Sequence, residues 1–506
     1  MCDHKNHADY NASKNIGLQY LRRRQSAGDG GTPVDVRLNR GIVEHEWGST
    51  TPPLLSHRTG AHVEASGRSE NLGSSVITRY RRRLEPLDPR AICRINNKTE
   101  YCDRKPTIVR YIPAVKRAGG ELWSGGRGKI LLAVAFGWFL SISVRMIYPA
   151  VLPHIRGTYN LTLTTSGLLL TVLWIAYASG QLPGGILADW VGERPLLITS
   201  SLLAAAMLAL VIVADSAVIL FSATALFGAG TALYGVSRFT ILGKIYSEQL
   251  GTATGATMAA GDIGNAVMPP AAGFIATAMA WQYGFGLAVP LFLLAAVGLW
   301  ATLPKRMSTA TSLRESIALG DILSTLSQPI VLRGTILLVL WAVIIQAFMG
   351  FYPTYLIDEK GISARIATAL FGFFFALGIL MKPVAGRAYD SIGVRIPLLA
   401  LMSVASLALA ALPFVEAVWL FVPVTVLASS LLGFETIVIS DLTRRLPEGT
   451  QGTNLGALRT VYLALGALSP VLFGAIAEQE YFDEAFLGIA GLAAIVALTV
   501  FASIDY

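Results

Sequence analysis

The chain has 506 residues, of which 53% are hydrophobic and only 14% charged, where a soluble domain carries roughly a quarter charged residues. That composition excludes an ordinary soluble enzyme. The formal net charge of +8 is unevenly placed: residues 1–128 hold 22 Lys+Arg against 13 Asp+Glu, and residues 129–506 hold 18 against 19. A basic head therefore precedes an apolar, nearly neutral body, and the body reads as a membrane domain.

All three cysteines (Cys2, Cys93 and Cys102) lie in the head, without the spacing of a disulfide scaffold or a complete zinc site. No metal and no cofactor is expected. The first residues, MCDHKNHADY, contain no apolar stretch, so no cleavable secretory signal is expected. The run Cys2-Asp-His4-Lys-Asn-His7-Ala-Asp9-Tyr-Asn11-Ala-Ser-Lys-Asn15-Ile16 resembles the C-terminal end of OrfB/TnpB-type insertion-sequence proteins, which are RNA-guided nucleases with a RuvC-like site. The resemblance extends roughly to Arg40 and implies that Cys2 matches the last zinc-ribbon cysteine and Asp9 the last of three catalytic acids. A lone Asp9 does not hold a two-metal phosphodiester site, and Cys2 with His4 and His7 lacks paired zinc-ligand spacing. Residues 1–40 are therefore expected to be a truncated transposase-like fragment with no nuclease activity and no functional nucleic-acid binding. Residues 41–128 combine Gly, Ser, Thr and Pro clusters with basic runs such as Arg79-Tyr-Arg-Arg-Arg83, and are expected to be a disordered basic extension. The rival reading is a polybasic arm drawn to anionic lipid.

Crossing the hydrocarbon core takes about 20 apolar residues as helix. Six such runs are predicted at 129–150, 165–186, 196–214, 217–241, 253–276 and 284–303. A polar linker at 304–333 follows, and then six more at 334–356, 365–386, 396–414, 417–440, 453–476 and 485–503. The expected fold class is an all-α membrane protein with twelve transmembrane helices in two parallel six-helix bundles, 129–303 and 334–506. With the N-terminus cytoplasmic, the inner loops carry Arg194, Lys244, Lys305, Arg306, Arg314, Arg333, Arg387, Arg395, Arg444 and Arg445, against Arg156, Lys360 and Arg365 outside. That bias obeys the positive-inside rule and predicts both termini in the cytoplasm of a cell that carries the protein in its plasma membrane.

Gly185-Ile-Leu-Ala-Asp189-Trp-Val-Gly192-Glu-Arg194 follows the second span, and Gly386-Arg-Ala-Tyr-Asp390-Ser-Ile-Gly393-Val-Arg395 follows the eighth, 201 residues later. Both read G-x-x-x-D-x-x-G-x-R. A Tyr-Pro pair ends the preceding odd span in each half, Tyr148-Pro149 and Tyr352-Pro353. Glycines permit a tight turn, the Asp suits a neighbouring helix N-terminus and the Arg suits the cytoplasmic side. Two parallel repeats of this kind are an arrangement of secondary transporters. On these motifs residues 129–506 resemble a major facilitator superfamily permease, whose loop signature lies between its second and third helices. In the fifth span Gly261-Asp-Ile-Gly264 and Met268-Pro-Pro-Ala-Ala-Gly273 resemble the Gly/Pro-rich motif of the family's antiporters. The resemblance implies a small-molecule permease working by alternating access, with conformational gates at the two loop motifs, a coupling proton and no covalent chemistry. A monomer is expected.

Ionisable residues inside spans cost about 2.5–3.5 kcal/mol on insertion scales and are functional candidates by default. Six qualify: Arg145, Arg238, Asp262, Lys382, Glu435 and Arg459. Glu435 and Arg459 are predicted at similar depth on consecutive helices and are expected to pair, either as a gate or as a proton site. Arg238 resembles a fourth-span arginine that family members link to proton coupling. Asp262 is read as a proton carrier or as the structural partner of Arg238, and Lys382 as an amine that snorkels to the interface. Arg145 is read as a clamp for a carboxylate or phosphate, or as an outer-gate partner of acids such as Asp358. It resembles the first-span arginine of the family's organophosphate and organic-anion branches. The second clamping base those branches supply from the seventh span is missing, Gln346 and Tyr352 standing there instead. Trp138, Trp174, Tyr177, Tyr234 and Trp341 are candidate cavity linings. A small organic anion is favoured as substrate. The alternatives are a proton-coupled efflux antiporter, a membrane-tethered nucleic-acid protein and a non-transporting sensor.

Overall fold

The structure, a computed structural model, describes residues 36–39, 42–45, 126–246, 249–305, 327–446 and 451–502. The chain divides into two units, Met1–Lys105 and Pro106–Tyr506. In the first, β1 (Val36–Asn39) pairs antiparallel with β2 (Ile42–His45). The hairpin spans residue 40, where the expected fragment meets the expected extension. The other expectations for residues 1–125 lie outside the described residues.

Among the described residues, the regular elements of the second unit are all helical. Its first half contains α1 (Arg127–Tyr159), α2 (Leu163–Val191), α3 (Glu193–Ile212), α4 (Ala217–Ile245), α5 (Leu250–Ala278) and α6 (Trp281–Thr302). Its second half contains α7 (Pro329–Asp358), α8 (Ala364–Ile392), α9 (Arg395–Phe414), α10 (Val418–Arg445), α11 (Asn454–Ala477) and α12 (Phe482–Ala502). Among the described residues, eleven helices are long and apolar enough to cross a membrane. The remaining helix is α5, whose 29 residues span about 43 Å at 1.5 Å per residue. Gly261, Asp262, Gly264 and Asn265 lower its hydropathy, and all four are buried against protein. A Cβ on Gly261 would meet the Trp138 indole, and one on Gly264 the Phe139 carbonyl oxygen at 2.8 Å. Small residues of this kind let membrane helices approach closely, so the face of α5 packed against α1 tolerates a polar sequence while Ile263, Val267 and Phe274 are exposed on another.

Most predicted span ends shift by a few residues, and the largest shift is at the end of α1. Helix α1 starts at Arg127, earlier than expected, and continues past the predicted end through Pro149 and Pro153; it stops at Asn160 in left-handed backbone (φ 51°). Neighbouring helices re-satisfy backbone groups that an intrahelical proline frees.

The 201-residue repeat is visible in matched bonds. Thr224 on α4 donates to the Tyr148 hydroxyl on α1 (3.2 Å), and Thr425 on α10 shares a hydrogen with the Tyr352 hydroxyl on α7 (2.6 Å). Arg194 donates to the Trp300 carbonyl at the end of α6 (2.6 Å), and Arg395 donates to the Phe501 carbonyl at the end of α12. Each guanidinium thus meets the unpaired carbonyls and negative dipole end of a helix C-terminus. Gly192 (φ 92°) and Gly393 (φ 80°) supply the positive-φ turns preceding these arginines.

Because α1 and α12 both start or end on one side, that side is called the terminal face and the other the distal face. In the distal half the two bundles are locked together. Gly167 of α2 lies against the Pro470 carbonyl of α11, Gly474 of α11 against the Leu163 carbonyl of α2, and Gly372 of α8 against Pro270 and the Ala266 carbonyl of α5. A side chain at any of these positions would force the helices apart. The Val471 amide donates to Thr171 (3.2 Å), and Arg156 forms an ion pair with Asp358. The first-turn amide of Thr164 donates to the Glu478 carboxylate at 2.9 Å. Bonding from the Thr164 hydroxyl and amide, helped by the Thr162 hydroxyl, holds this exposed carboxylate below its ordinary range.

Candidate functional site

Helix α1 runs from the terminal face, and Arg145 sits 18 residues in, about 27 Å along the axis. Its side chain leans back toward the helix N-terminus, as helical side chains do. The guanidinium carbon lies 3.6 Å from the Tyr177 ring centroid, 5.4 Å from that of Trp174 and 5.9 Å from that of Trp138. Arg238 on the antiparallel α4 leans the opposite way and lies 3.2 Å from the Trp138 ring centroid and 4.2 Å from that of Phe239. Trp138 therefore serves two arginines. Both arginines are 1% exposed. Arg145 Nε and Nη1 and Arg238 Nη1 have no hydrogen-bond partner, while Arg238 Nε donates to the Gly235 carbonyl (3.3 Å).

Arg459, on α11 of the second bundle, approaches the same place. Tyr177 is within electrostatic reach of Arg145, Arg238 and Arg459 together. Among the described residues none of the three arginines has a carboxylate within ion-pair distance. The quadrupoles of the aromatic rings offset part of the charge. Glu435 lies within electrostatic reach of Arg459, and the charge of Arg145 and Arg238 has no paired carboxylate among the described residues.

The acids have other partners. Asp262 on α5 pairs with Lys382 on α8 at 2.5 Å, so neither the expected Arg238–Asp262 pair nor the snorkelling lysine is found. The reason is placement: Arg238 is drawn to Trp138, and Lys382 faces α5 across the bundle interface. Lys382 keeps about a quarter of its side chain exposed, while Asp262 is buried. Glu435 and Arg459 are both half-buried but, among the described residues, form no ion pair within 4 Å. Tyr462, one helical turn beyond Arg459, donates its hydroxyl to Glu435 at 2.5 Å and takes the place predicted for the arginine. Arg459 remains within electrostatic reach of both. Asp358, expected as a possible partner of Arg145, is held by Arg156 instead.

The loop motifs also depart from expectation. Asp390 meets the last turn of α10 through Arg444 (2.8 Å), not a helix N-terminus, because the exposed arginine is the nearer cation. The Asp189 side chain lies outside the described residues. Gly185 and Gly386 lie in the last turns of α2 and α8. Within the first motif, buried Glu193 pairs with Lys244 of α4 at 2.6 Å, a contact the sequence did not reveal. Of the aromatic candidates, Tyr234 donates to the Val134 carbonyl (2.9 Å) and Trp341 to the Leu431 carbonyl (2.8 Å), so both serve packing within a bundle. Three buried amides were missed or left without a role: Gln181 on α2, Asn265 on α5 and Gln346 on α7 each hold an atom with no hydrogen-bond partner.

The Major Facilitator Superfamily model matches residues 134–470. The chain belongs to that superfamily. A hexuronate transporter of Bacillus subtilis is 24% identical over 373 residues, covering 69% of this chain and 87% of the relative. Among solved structures, a bacterial homologue of the human lysosomal transporter Spinster, inward-facing and unoccupied, aligns with TM-score 0.64 and 16% identity over 75% of this chain and 97% of its own. The nucleoside transporter NupG aligns with TM-score 0.62 and 13% identity over 74% of this chain and 99% of its own. As a superfamily member the protein is a multi-pass membrane transporter and not an enzyme.

Proposed function

We propose that this superfamily member is a proton-coupled secondary transporter of a small organic anion. The observation that carries this reading is the clustering of Arg145 and Arg238 about Trp138, with Arg145 also over Tyr177, Arg459 within electrostatic reach from the second bundle, and no carboxylate paired to any of the three among the described residues. A guanidinium is suited to a carboxylate, which it holds through parallel charge-assisted hydrogen bonds. In a low-dielectric site such a ligand supplies the missing negative charge. The hexuronate transporter among the relatives handles, by its name, a sugar acid, and a carboxylate of that size is the substrate class we assign. The neutral Gln346 on α7 argues against a phosphate dianion, which would call for a further base there.

The distal lock supports a state closed at the distal face, with the arginine atoms sealed inside. With both termini in the cytoplasm, as the loop charges favour, this is an outward-closed state of a monomer in the plasma membrane. Alternating access then requires the distal contacts to open. We assign the coupling of a proton to that motion to two acids. Asp262 holds Lys382 across the bundle interface, and its protonation releases the pair. Glu435 bonds Tyr462 beside Arg459, and an anion that engages Arg459 competes with Glu435 for the same cation. The Gly/Pro-rich segment of α5, which suggests an efflux antiporter, has a packing role here through Pro270 against Gly372.

Uptake of radiolabelled glucuronate into proteoliposomes containing the full chain tests the proposal. An inside-alkaline pH gradient is expected to drive accumulation, and collapsing the gradient to abolish it. Glu435→Gln is expected to retain exchange of internal for external glucuronate while losing accumulation. Uptake of lipophilic cations with none of organic anions would overturn the reading.

A further inference from the structure

The polar atoms left without partners near the centre of the two bundles differ in kind from one wall to the other. On the first bundle most are donors: Arg145 Nε and Nη1, Arg238 Nη1 and Gln181 Nε2. On the second bundle, where the Ser430 hydroxyl of α10 is also unpartnered, the unpartnered atom of α7 at this level is an acceptor, the Oε1 of Gln346. Gln346 is 3% exposed, and its Nε2 faces α11, 3.5 Å from the Leu463 carbonyl. That leaves its carbonyl oxygen with no donor. A buried acceptor in this condition is costly, and an orphaned group in a native fold calls for an explanation.

Register places this oxygen beside the arginine site. Gly350 of α7 packs against both Leu170 of α2 and Pro470 of α11, so these three positions share one level. One turn closer to the terminal face on each helix stand Gln346, Trp174 and Gly466. Gly466 does pack against the Gln346 amide, and Trp174 does lie over Arg145. Gln346 is therefore at the level of the Arg145 guanidinium, across the bundle interface from it. These atoms are sealed in this conformer, and a ligand reaches them as the bundles part.

We infer that Gln346 is a specificity-determining residue that accepts a hydrogen bond from a substrate hydroxyl, and that the substrate is a hydroxylated monocarboxylate. This rests on the anion reading above and narrows it. The carboxylate faces the donors of the first bundle, and the hydroxyl, a few ångströms along the same molecule, faces Gln346 on the second. A dicarboxylate or phosphate dianion directs negative oxygen at the Gln346 carbonyl and is disfavoured. An unsubstituted carboxylate leaves that carbonyl unpaired, and sites built to hydrogen-bond a hydroxyl reject analogues lacking it far more strongly than apolar pockets reject a missing methylene. A ligand held at both ends also ties the two bundles together, as alternating access about a central site requires.

The test compares three probes on the purified full chain by equilibrium binding: glucuronate, cyclohexanecarboxylate, which keeps a six-membered ring and one carboxylate without hydroxyls, and glucose 6-phosphate. The native protein is expected to bind glucuronate at least about tenfold more tightly than either of the others. Gln346→Met, of similar volume, is expected to weaken glucuronate by about tenfold or more while leaving cyclohexanecarboxylate unchanged. The unchanged probe also reports that the variant is folded. Equal binding of glucuronate and cyclohexanecarboxylate to the native chain, or an equal loss of both in Gln346→Met, overturns the assignment while leaving the anion site standing. Failure of all three probes to bind the native chain overturns the anion reading together with it.

Discussion

The two six-helix bundles share a frame and differ in what they do with charge. The frame is the set of matched bonds: tyrosine to threonine between the first and fourth helix of each half, and arginine to the last carbonyls of the sixth. At the centre the match ends. The first bundle presents Arg145 and Arg238 over aromatic rings with no carboxylate paired to either among the described residues. In the second, Glu435 bonds Tyr462, and Lys382 reaches across to Asp262. A duplicated scaffold whose halves agree at the helix ends and disagree in the middle places transport architecture in the agreement and substrate chemistry in the disagreement.

The sharpest way to break this comparison is at the ion pair that joins α5 to α8. Asp262→Ala leaves Lys382 without its partner, and breaking a buried pair costs about 3–5 kcal/mol. Because Lys382 is partly exposed, we expect the lower end, about 3 kcal/mol, seen as a lowered thermal midpoint in detergent. Lys382→Ala added to that variant should recover part of the loss, since no uncompensated amine remains. The next effect is functional. Arg145→Leu should reduce anion transport roughly 10- to 100-fold, the worth of a charge-assisted hydrogen bond, at nearly unchanged stability. A smaller effect checks the shared frame: Arg194→Ala and Arg395→Ala should each cost about 0.5 kcal/mol, as for a cation at a helix C-terminus, and by similar amounts. Clearly unequal losses in the melting temperatures would show that the halves do not carry equivalent duties at these loops.

The smallest effect is the pH dependence of the distal lock. The folded pKa of Glu478 lies below its unfolded value. Its contribution is therefore fully present above the unfolded pKa and is lost as pH falls through the lower folded value. A cysteine placed at Thr165 should react with a membrane-impermeant maleimide at a rate that, corrected for the reagent's own pH dependence, is flat down to about pH 5 and rises only in stronger acid. Glu478→Gln should raise that rate throughout and remove its dependence on acid.

Much of the frame was legible because it is written in local patterns. Helix-length apolar runs and a ten-residue motif repeated 201 positions later need no knowledge of tertiary contacts. Pairing was less legible, and for a physical reason. Depth counted along helices placed Glu435 beside Arg459, but depth carries no rotation about the helix axis, and the Tyr462 hydroxyl one turn away reaches the carboxylate first. The spacing of Arg459 and Tyr462, three residues on one helix face, was the available signal. Asp262 and Lys382 are 120 residues apart on different bundles, so only the packing of α5 against α8 reveals them. The buried amides were harder still, because Gln181, Asn265 and Gln346 carry no charge to mark them within an apolar span. Asp390 was assigned to a helix end and found on Arg444, a competition between cations that sequence order does not rank.

The central claim, an organic-anion site built on Arg145, is tested most directly by thermal stability of the purified full chain with a panel of organic carboxylates and lipophilic cations. A ligand at 100 times its Kd adds about 2.7 kcal/mol to the state that binds it, enough to move a melting curve. We predict stabilisation by carboxylates and not by cations, with the effect absent in an Arg145→Leu protein that still melts cooperatively. Stabilisation by cations alone, or an undiminished carboxylate shift in Arg145→Leu, would contradict the account.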